Sequence, residues 1–158
     1  MYDNNEMYID HLTTAVKNNL LEMAGLEAEF LEPQKQVGGI ESNGLTVIIG
    51  ITGKRPGRII YDMAIATGKK LSDLINGEEI DDQGHMIDTI SELANIVSGH
   101  TISFINNANK GMGLMLSPPS IFFGSNLSIA SPNINAQIMI VKTEAGELNI
   151  SIGFENHK

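Results

Sequence analysis

The sequence predicts an α+β protein built on a mostly antiparallel sheet with helices packed on one face. Two stretches, residues 7–30 and 88–99, repeat apolar residues at the three- and four-residue spacing of amphipathic helices. After the second stretch, residues 113–154 carry a succession of strand patterns with no helix between them. Strands joined without crossover helices pair mostly antiparallel. We therefore expect both helices on one face of a curved sheet.

The first half of the chain predicts one long helix followed by a pair of strands. The helical pattern covers residues 7–30, with Gly25 as an early end and a short continuation to Phe30. Residues 45–51 and 58–63 are rich in β-branched side chains and are separated by turn residues. These two runs are predicted to form a hairpin.

The turn of this hairpin has a superficial likeness to a phosphate-binding loop. Gly50 and Gly53 are separated by two residues, whereas the P-loop needs four between its glycines. The P-loop also needs a helix after its lysine, but Pro56 and Gly57 lead into another strand. We therefore interpret the segment as a hairpin turn.

A short helix and an acidic loop are predicted between the two halves. Residues 64–74 have the helical pattern, and residues 77–84 carry carboxylates without the spacing of a calcium loop. The loop is therefore interpreted as a solvated linker rather than a metal site. The later strands are predicted at residues 113–116, 120–123, 127–130, 136–143 and 147–154, the last two forming a hairpin.

Composition narrows the classes of function. The chain has 158 residues, of which 42% are hydrophobic, and this suits one domain spanning residues 1–158 with a substantial core. A formal net charge of −9 disfavours nucleic acid and anionic membrane as partners. The absence of cysteine excludes disulfides and thiol chemistry. Because neither a signal peptide nor a transmembrane run is recognised, we expect a cytoplasmic protein.

Residues 88–99 carry the clearest chemical pattern. As a helix, they place Asp88, Glu92, Asn95 and Gly99 on one side within about 60°, and we call these four residues the polar stripe. The opposite side is apolar and must face the core, so the polar stripe faces water. An ordinary solvated face carries lysine and glutamate spaced for ion pairs, but this stretch has no lysine or arginine. The polar stripe is therefore the candidate functional surface.

The pattern Asp-x3-Glu-x2-Asn, followed by glycine, resembles the signature of the CheC/CheX/FliY phosphatases of bacterial chemotaxis. The string from Glu92 to Gly99 is most similar to the CheX type, which carries one such motif rather than two. Downstream, the string from Leu116 to Gly124 is similar to the family's Leu-Ser-x-Pro…Gly strand. The resemblance covers residues 7–154 and implies a CheC-like fold.

The resemblance also implies an enzyme that dephosphorylates the phospho-aspartate of a CheY-like response regulator. Asn95 and Glu92 would be catalytic: Asn95 would orient the attacking water, and Glu92 would pair with the regulator's active-site lysine. An amide suits this role because it offers one acceptor and two donors, and positioning supplies much of the catalysis in phosphoryl transfer. Asp88 would fix the docked partner or cap backbone amides early in the helix, and Gly99 would admit the partner's backbone. The regulator would supply Mg²⁺, so the chain is expected to need no cofactor or metal of its own.

Two other classes of function stay open. A relative that binds a response regulator or a flagellar partner without catalysis would carry the same polar stripe. A small-molecule hydrolase would need a nucleophile or metal set in a concave apolar pocket, whereas docking needs an exposed surface.

His100 is interpreted as a residue at the helix end. The chain has four histidines without the spacing of metal ligands: His11, His85, His100 and His157.

The last two expectations concern symmetry. The resemblance implies a homodimer, and the near-continuous apolar runs 121–123 and 138–141 independently require cover on both faces of the sheet. The resemblance also implies a degenerate internal duplication of the chain. In that register, Thr14 and Lys17 of the first helix stand where the later helix has Glu and Asn.

Overall fold

The fold is an α+β arrangement of helices against one antiparallel sheet, as predicted. A computed structural model describes residues 4–130 and 133–156, with side chains from residue 8 onward. Within these ranges the helices are α1 (Asn4–Ala24), α2 (Ile65–Asn76) and α3 (Gln83–Ala108). The strands are β1 (Glu29–Phe30), β2 (Gln34–Lys35), β3 (Ile40–Thr52), β4 (Gly57–Ala64), β5 (Met115–Leu116), β6 (Ser120–Ile129), β7 (Ile134–Thr143) and β8 (Gly146–Glu155).

The core lies between the helices and one face of the sheet. Leu45, Val47 and Ile49 of β3 are fully buried, because alternate residues of a strand point to the same face. They belong to one continuous apolar cluster with Leu12 of α1 and Ile90 of α3. α3 contacts both α1 and α2. The long helix α3, which carries the polar stripe, is therefore packed between α1 and α2 and against the sheet.

The strand order is palindromic with respect to the two halves of the chain. It runs β1-β7-β8-β4-β3-β5, with β2 also paired to β7 and β6 also paired to β3, and every pairing is antiparallel. The first half contributes α1, two edge strands and the β3–β4 hairpin; the second contributes α3, two edge strands and the β7–β8 hairpin. Exchanging the halves leaves this order unchanged. That is the arrangement an internal duplication predicts, and it makes α1 the counterpart of α3.

The predicted β3–β4 hairpin and the connecting helix are confirmed. The two strands pair from Gly44 opposite Ala64 to Ile51 opposite Gly57, so the glycine-containing segment closes a hairpin. α2 ends at Asn76 and is capped by Gly77, whose φ of +74° is the left-handed conformation that glycine adopts without steric cost. The phosphate-loop alternative is therefore excluded by the course of the backbone.

The first helix ends earlier than the predicted continuation to Phe30, and that part of the prediction is wrong. Gly25 takes a φ of +65° and donates its N–H to the carbonyl of Leu21 at 3.0 Å. Leu26 then turns inward and is 5% exposed. The following residues become β1, with Phe30 opposite Val141 of β7. This segment pairs with a strand far along the chain, and the spacing of apolar residues cannot predict such a pairing.

The two strands predicted at residues 120–123 and 127–130 form the single strand β6. Its backbone departs from regular geometry at Gly124 and Asn126, which have φ of +138° and +63°, and its pairing with β3 shifts register there. The hydroxyl of Ser42 bridges the irregularity: it donates to the Gly124 carbonyl (2.7 Å) and accepts from the Leu127 N–H (3.0 Å). A β-bulge satisfied in this way bends a strand without ending it.

The signature helix is longer at both ends than its motif. Asp82 caps its start, because its Oδ1 accepts from the N–H groups of Gly84 (2.9 Å) and His85 (3.3 Å). Asp88 therefore does not cap this helix, and the capping alternative proposed for it is wrong. The helix continues past Gly99 to Ala108. The polar stripe thus lies in the regular middle of a rigid element.

Candidate functional site

The polar stripe lies on the outer side of α3. The side chains of Asp88, Glu92 and Asn95 are exposed, and Gly99 is partly exposed. Ile90, on the opposite side of the helix, is 1% exposed and packs in the core. The amphipathic pattern therefore places the four residues where a partner can reach them.

The polar side chains of this stripe are not engaged within the protein. Across the described residues, Asp88, Glu92 and Asn95 make no side-chain hydrogen bond or ion pair. One turn of helix separates Glu92 from Asn95, so a carboxylate and a carboxamide can act on one ligand together. Their donors and acceptors are available to water and to a docked partner.

Gly99 is not required by the packing of the chain itself. A Cβ built on this residue meets no heavy atom within 4 Å. Glycine inside a helix costs about 1 kcal/mol relative to alanine. Because nothing in the described structure explains that cost, close approach of another molecule stays the prediction for this position.

Three side-chain hydrogen bonds fix the orientation of α3, one each from α1, α2 and β4. They join residues 13, 37 and 81 positions apart, so a pattern read along the chain could not reveal them. The contacts are Asn76 Nδ2 to Thr89 Oγ1 (3.2 Å) from α2, Tyr61 Oη with Ser98 Oγ (2.7 Å) from β4, and Asn19 Nδ2 to His100 Nδ1 (2.9 Å) from α1. Together they set which side of α3 faces outward.

The contact from the sheet is buried beside the polar stripe. Tyr61 is 5% exposed and Ser98 is fully buried. Burial raises the pKa of the Tyr61 phenol well above its ordinary value, so the hydroxyl stays protonated. Ser98 precedes Gly99 and follows Asn95 by one turn. This neutral hydrogen bond therefore ties the catalytic candidate to the central strand.

His100 is not at the end of a helix, and that interpretation is wrong. It lies in the middle of α3, where its side chain is exposed and its Nδ1 faces Asn19 of α1. His157 lies outside the described residues. Within residues 4–130 and 133–156, no group of three or more His, Asp or Glu side chains is placed to hold a metal ion.

Three cavities in the described part of the protein are lined by residues other than Glu92 and Asn95. A small apolar cavity of about 20 Å³ lies between the helices and the sheet. A larger open groove of about 600 Å³ includes Asp73 and Glu79 and lies beside the end of α1. The third, of about 170 Å³, lies near the start of α3. The polar stripe is thus an exposed helix surface outside these three cavities.

The counterpart positions on α1 are also exposed but carry different chemistry. Thr14 and Lys17 point outward, and the Thr14 hydroxyl donates to the carbonyl of Asp10 at 3.1 Å. Neither side chain offers the carboxylate or the carboxamide of the polar stripe.

In the described part of the chain, no helix is both long enough and apolar enough to cross a bilayer.

Solved structures share this fold over almost the whole chain. The chemotaxis protein CheX from Desulfovibrio desulfuricans aligns with a TM-score of 0.85 at 22% identity, covering 94% of this chain and 99% of that one. A CheC-like superfamily protein from Shewanella sp. PV-4 aligns at 0.83 and 22%, covering 99% and 100%. A chain of the CheX–CheY–BeF3–Mg²⁺ complex from Borrelia burgdorferi aligns at 0.79 and 25%, covering 94% and 98%. The fold is therefore that of a CheC-like protein.

The family follows from the sequence match. The family model described as chemotaxis phosphatase CheX matches residues 45–143, which is more than half of the chain and includes the whole polar stripe. The chain belongs to the CheX family, and the resemblance found in its motifs is confirmed. A comparison with curated proteins found no match.

Proposed function

We propose that this protein dephosphorylates the phospho-aspartate of a CheY-like response regulator, using the polar stripe as its docking and catalytic surface. One observation carries the proposal. Glu92 and Asn95 lie one turn apart on a rigid helix of a CheX-family chain, and both are exposed. Neither side chain has a hydrogen bond or ion pair among the described residues. Family membership supports the class of reaction. The related Borrelia burgdorferi structure, a complex of CheX with CheY, BeF3 and Mg²⁺, supports the class of partner.

Asn95 orients the water that attacks the acyl phosphate. Its amide accepts one hydrogen from that water or donates to its lone pair, which fixes the oxygen in line with the bond that breaks. The bond broken is that between phosphorus and the aspartyl oxygen, and the new bond is formed by the water oxygen. The products are inorganic phosphate and the regulator's free carboxylate, and the regulator supplies Mg²⁺ to offset the charge.

Glu92 pairs with the regulator's active-site lysine and so sets the distance at which Asn95 enters. Asp88 and Gly99 act on the partner from the two ends of the polar stripe: Asp88 through its charge, and Gly99 by leaving room for backbone. A carboxylate desolvated against a lysine contributes to both orientation and affinity. All four residues lie on one helix, so they move as one body.

We also propose that the protein is a homodimer joined through β6. One edge of this strand pairs with β3, and along the strand Ile121, Phe122, Phe123 and Leu127 are 39–42% exposed. An exposed apolar edge strand pairs readily with another chain, and two-fold pairing would cover both the side chains and the backbone groups. The polar stripe lies on α3 and stays outside such an interface.

We further propose that residues 1–158 act as one CheX-like unit in the cytoplasm.

The test is release of inorganic phosphate from a panel of CheY-like response regulators charged with a small phosphodonor and Mg²⁺. We expect one or more regulators to lose phosphate faster with the wild-type protein than with Asn95→Ala. A regulator that binds without accelerated release would instead support the non-catalytic binding module. No acceleration with any member would overturn the proposal.

A further inference from the structure

We propose that His100 is a specificity-determining residue of the docking surface, presenting an Nε2–H donor whose direction is set by Asn19. The proposal rests on the function proposed above. His100 follows Gly99 directly and lies on the α1 side of the polar stripe, two helical turns beyond Glu92 along the ridge formed by every fourth residue. Its ring is exposed, so it meets whatever docks there.

The hydrogen bonds around Asn19 determine which nitrogen of the His100 ring carries the hydrogen. Asn19 Nδ2 lies 2.7 Å from the carbonyl oxygen of Ala15. Because a carbonyl oxygen can only accept a hydrogen bond, the Asn19 atom facing it must be the amide nitrogen, which donates. The same nitrogen lies 2.9 Å from His100 Nδ1. Because an amide nitrogen cannot accept, Nδ1 must be the bare, accepting nitrogen. The neutral ring therefore carries its hydrogen on Nε2.

This arrangement makes the exposed side of the ring a donor. Nδ1 is occupied by an amide that is itself 3% exposed and anchored to the backbone of α1. Nε2–H has no hydrogen-bond partner among the described residues. A group held in one orientation loses little entropy on binding, so it discriminates between partners more sharply than a mobile one. The partner group it selects is an acceptor, a backbone carbonyl or a carboxylate, at the edge of the docked regulator.

Two substitutions separate the donor role from the structural role of His100. Glutamine places an amide N–H near the position of Nε2, whereas asparagine places its amide near Nδ1 and does not reach outward. We expect His100→Asn to raise KM for the responding phosphorylated regulator by about 3- to 10-fold, the value of one ordinary hydrogen bond, with kcat little changed. We expect His100→Gln to recover most of this loss. His85→Asn, an exposed histidine at the start of the same helix, is the matched control and should not change KM.

The ring state is measured separately by long-range ¹H–¹⁵N correlations in labelled protein. We expect hydrogen on Nε2 in the wild type and a shift toward mixed tautomers in Asn19→Ala. Hydrogen on Nδ1 in the wild type would overturn the proposal. So would equal losses in the Gln and Asn variants, or no loss in either. If no regulator in the panel responds, the proposed function and the specificity role fail together, while the spectrum still decides whether Asn19 orients the ring.

Discussion

Tyr61 Oη and Ser98 Oγ lie 2.7 Å apart in the interior and join the central strand β4 to α3 at the residue before Gly99, one turn after Asn95. This is a contact between two neutral hydroxyls, both buried. It fixes the angle at which the outer side of the helix meets a partner.

We expect Tyr61→Phe to destabilise the protein by about 1–3 kcal/mol, because the buried Ser98 hydroxyl loses its partner. Replacing both residues, as Tyr61→Phe with Ser98→Ala, should restore part of that loss, since no buried hydroxyl is then left unpaired. Urea unfolding of the single and double variants measures this. If the double variant is no more stable than Tyr61→Phe, the two hydroxyls are not coupled.

We expect Asn95→Ala to lower the rate of regulator dephosphorylation by about two orders of magnitude, the scale for loss of one positioned polar group. Stability should change by less than about 0.5 kcal/mol, because the side chain is exposed and unengaged. Phosphate release under single-turnover conditions is the measurement. Asn18→Ala, an exposed asparagine on α1, is the control. Full activity of Asn95→Ala would refute its role.

We expect Glu92→Lys to weaken the regulator's binding and turnover more than Glu92→Ala. Alanine removes the attraction to the regulator's lysine, whereas lysine adds repulsion against it. Equilibrium binding and phosphate release are compared for both variants, with Glu22→Lys on the exposed side of α1 as a charge-matched control. Equal effects of the two Glu92 substitutions would argue against the ion pair.

We expect Gly99→Ala to stabilise the isolated protein by about 0.5–1 kcal/mol, because the added methyl meets no atom and alanine favours the helix. The same variant should bind the regulator more weakly, since the methyl occupies space that the partner's backbone needs. Thermal unfolding and binding, measured on one preparation, give both results. A variant that is more stable and binds as well as the wild type would remove Gly99 from the docking surface.

We expect the wild-type protein to scatter light as a dimer of the 17.1 kDa chain at micromolar concentration, and Phe122→Lys to scatter as a monomer. Phe122 is 42% exposed on β6, and Leu74 on α2 is 46% exposed, so Leu74→Lys is a matched control that should stay dimeric. Phosphate release per chain should survive in the monomer, because the polar stripe lies on α3. A monomeric wild type would exclude the dimer.

The features predicted well from the sequence are those encoded within one element. β-Branched runs separated by turn residues predicted the β3–β4 hairpin, and apolar spacing predicted the polar stripe, because both signals lie close together in the chain. What could not be predicted depends on residues far apart in the chain. Phe30 became a strand because Val141 lies opposite it, and β6 continued through its bulge because Ser42 reaches across. The Asn19 contact of His100 is equally invisible to a local pattern.

Because of the palindromic strand order, each half of the chain depends on the other to complete the sheet. The outermost strands of the first half, β1 and β2, pair with β7, and those of the second half, β5 and β6, pair with β3. Each half therefore completes the other, as two protomers do when they exchange arms, but here within one polypeptide. Neither helix–hairpin half can close its sheet alone. The helix α1, which lacks the polar stripe, thus belongs to the half of the chain that completes the sheet beneath α3.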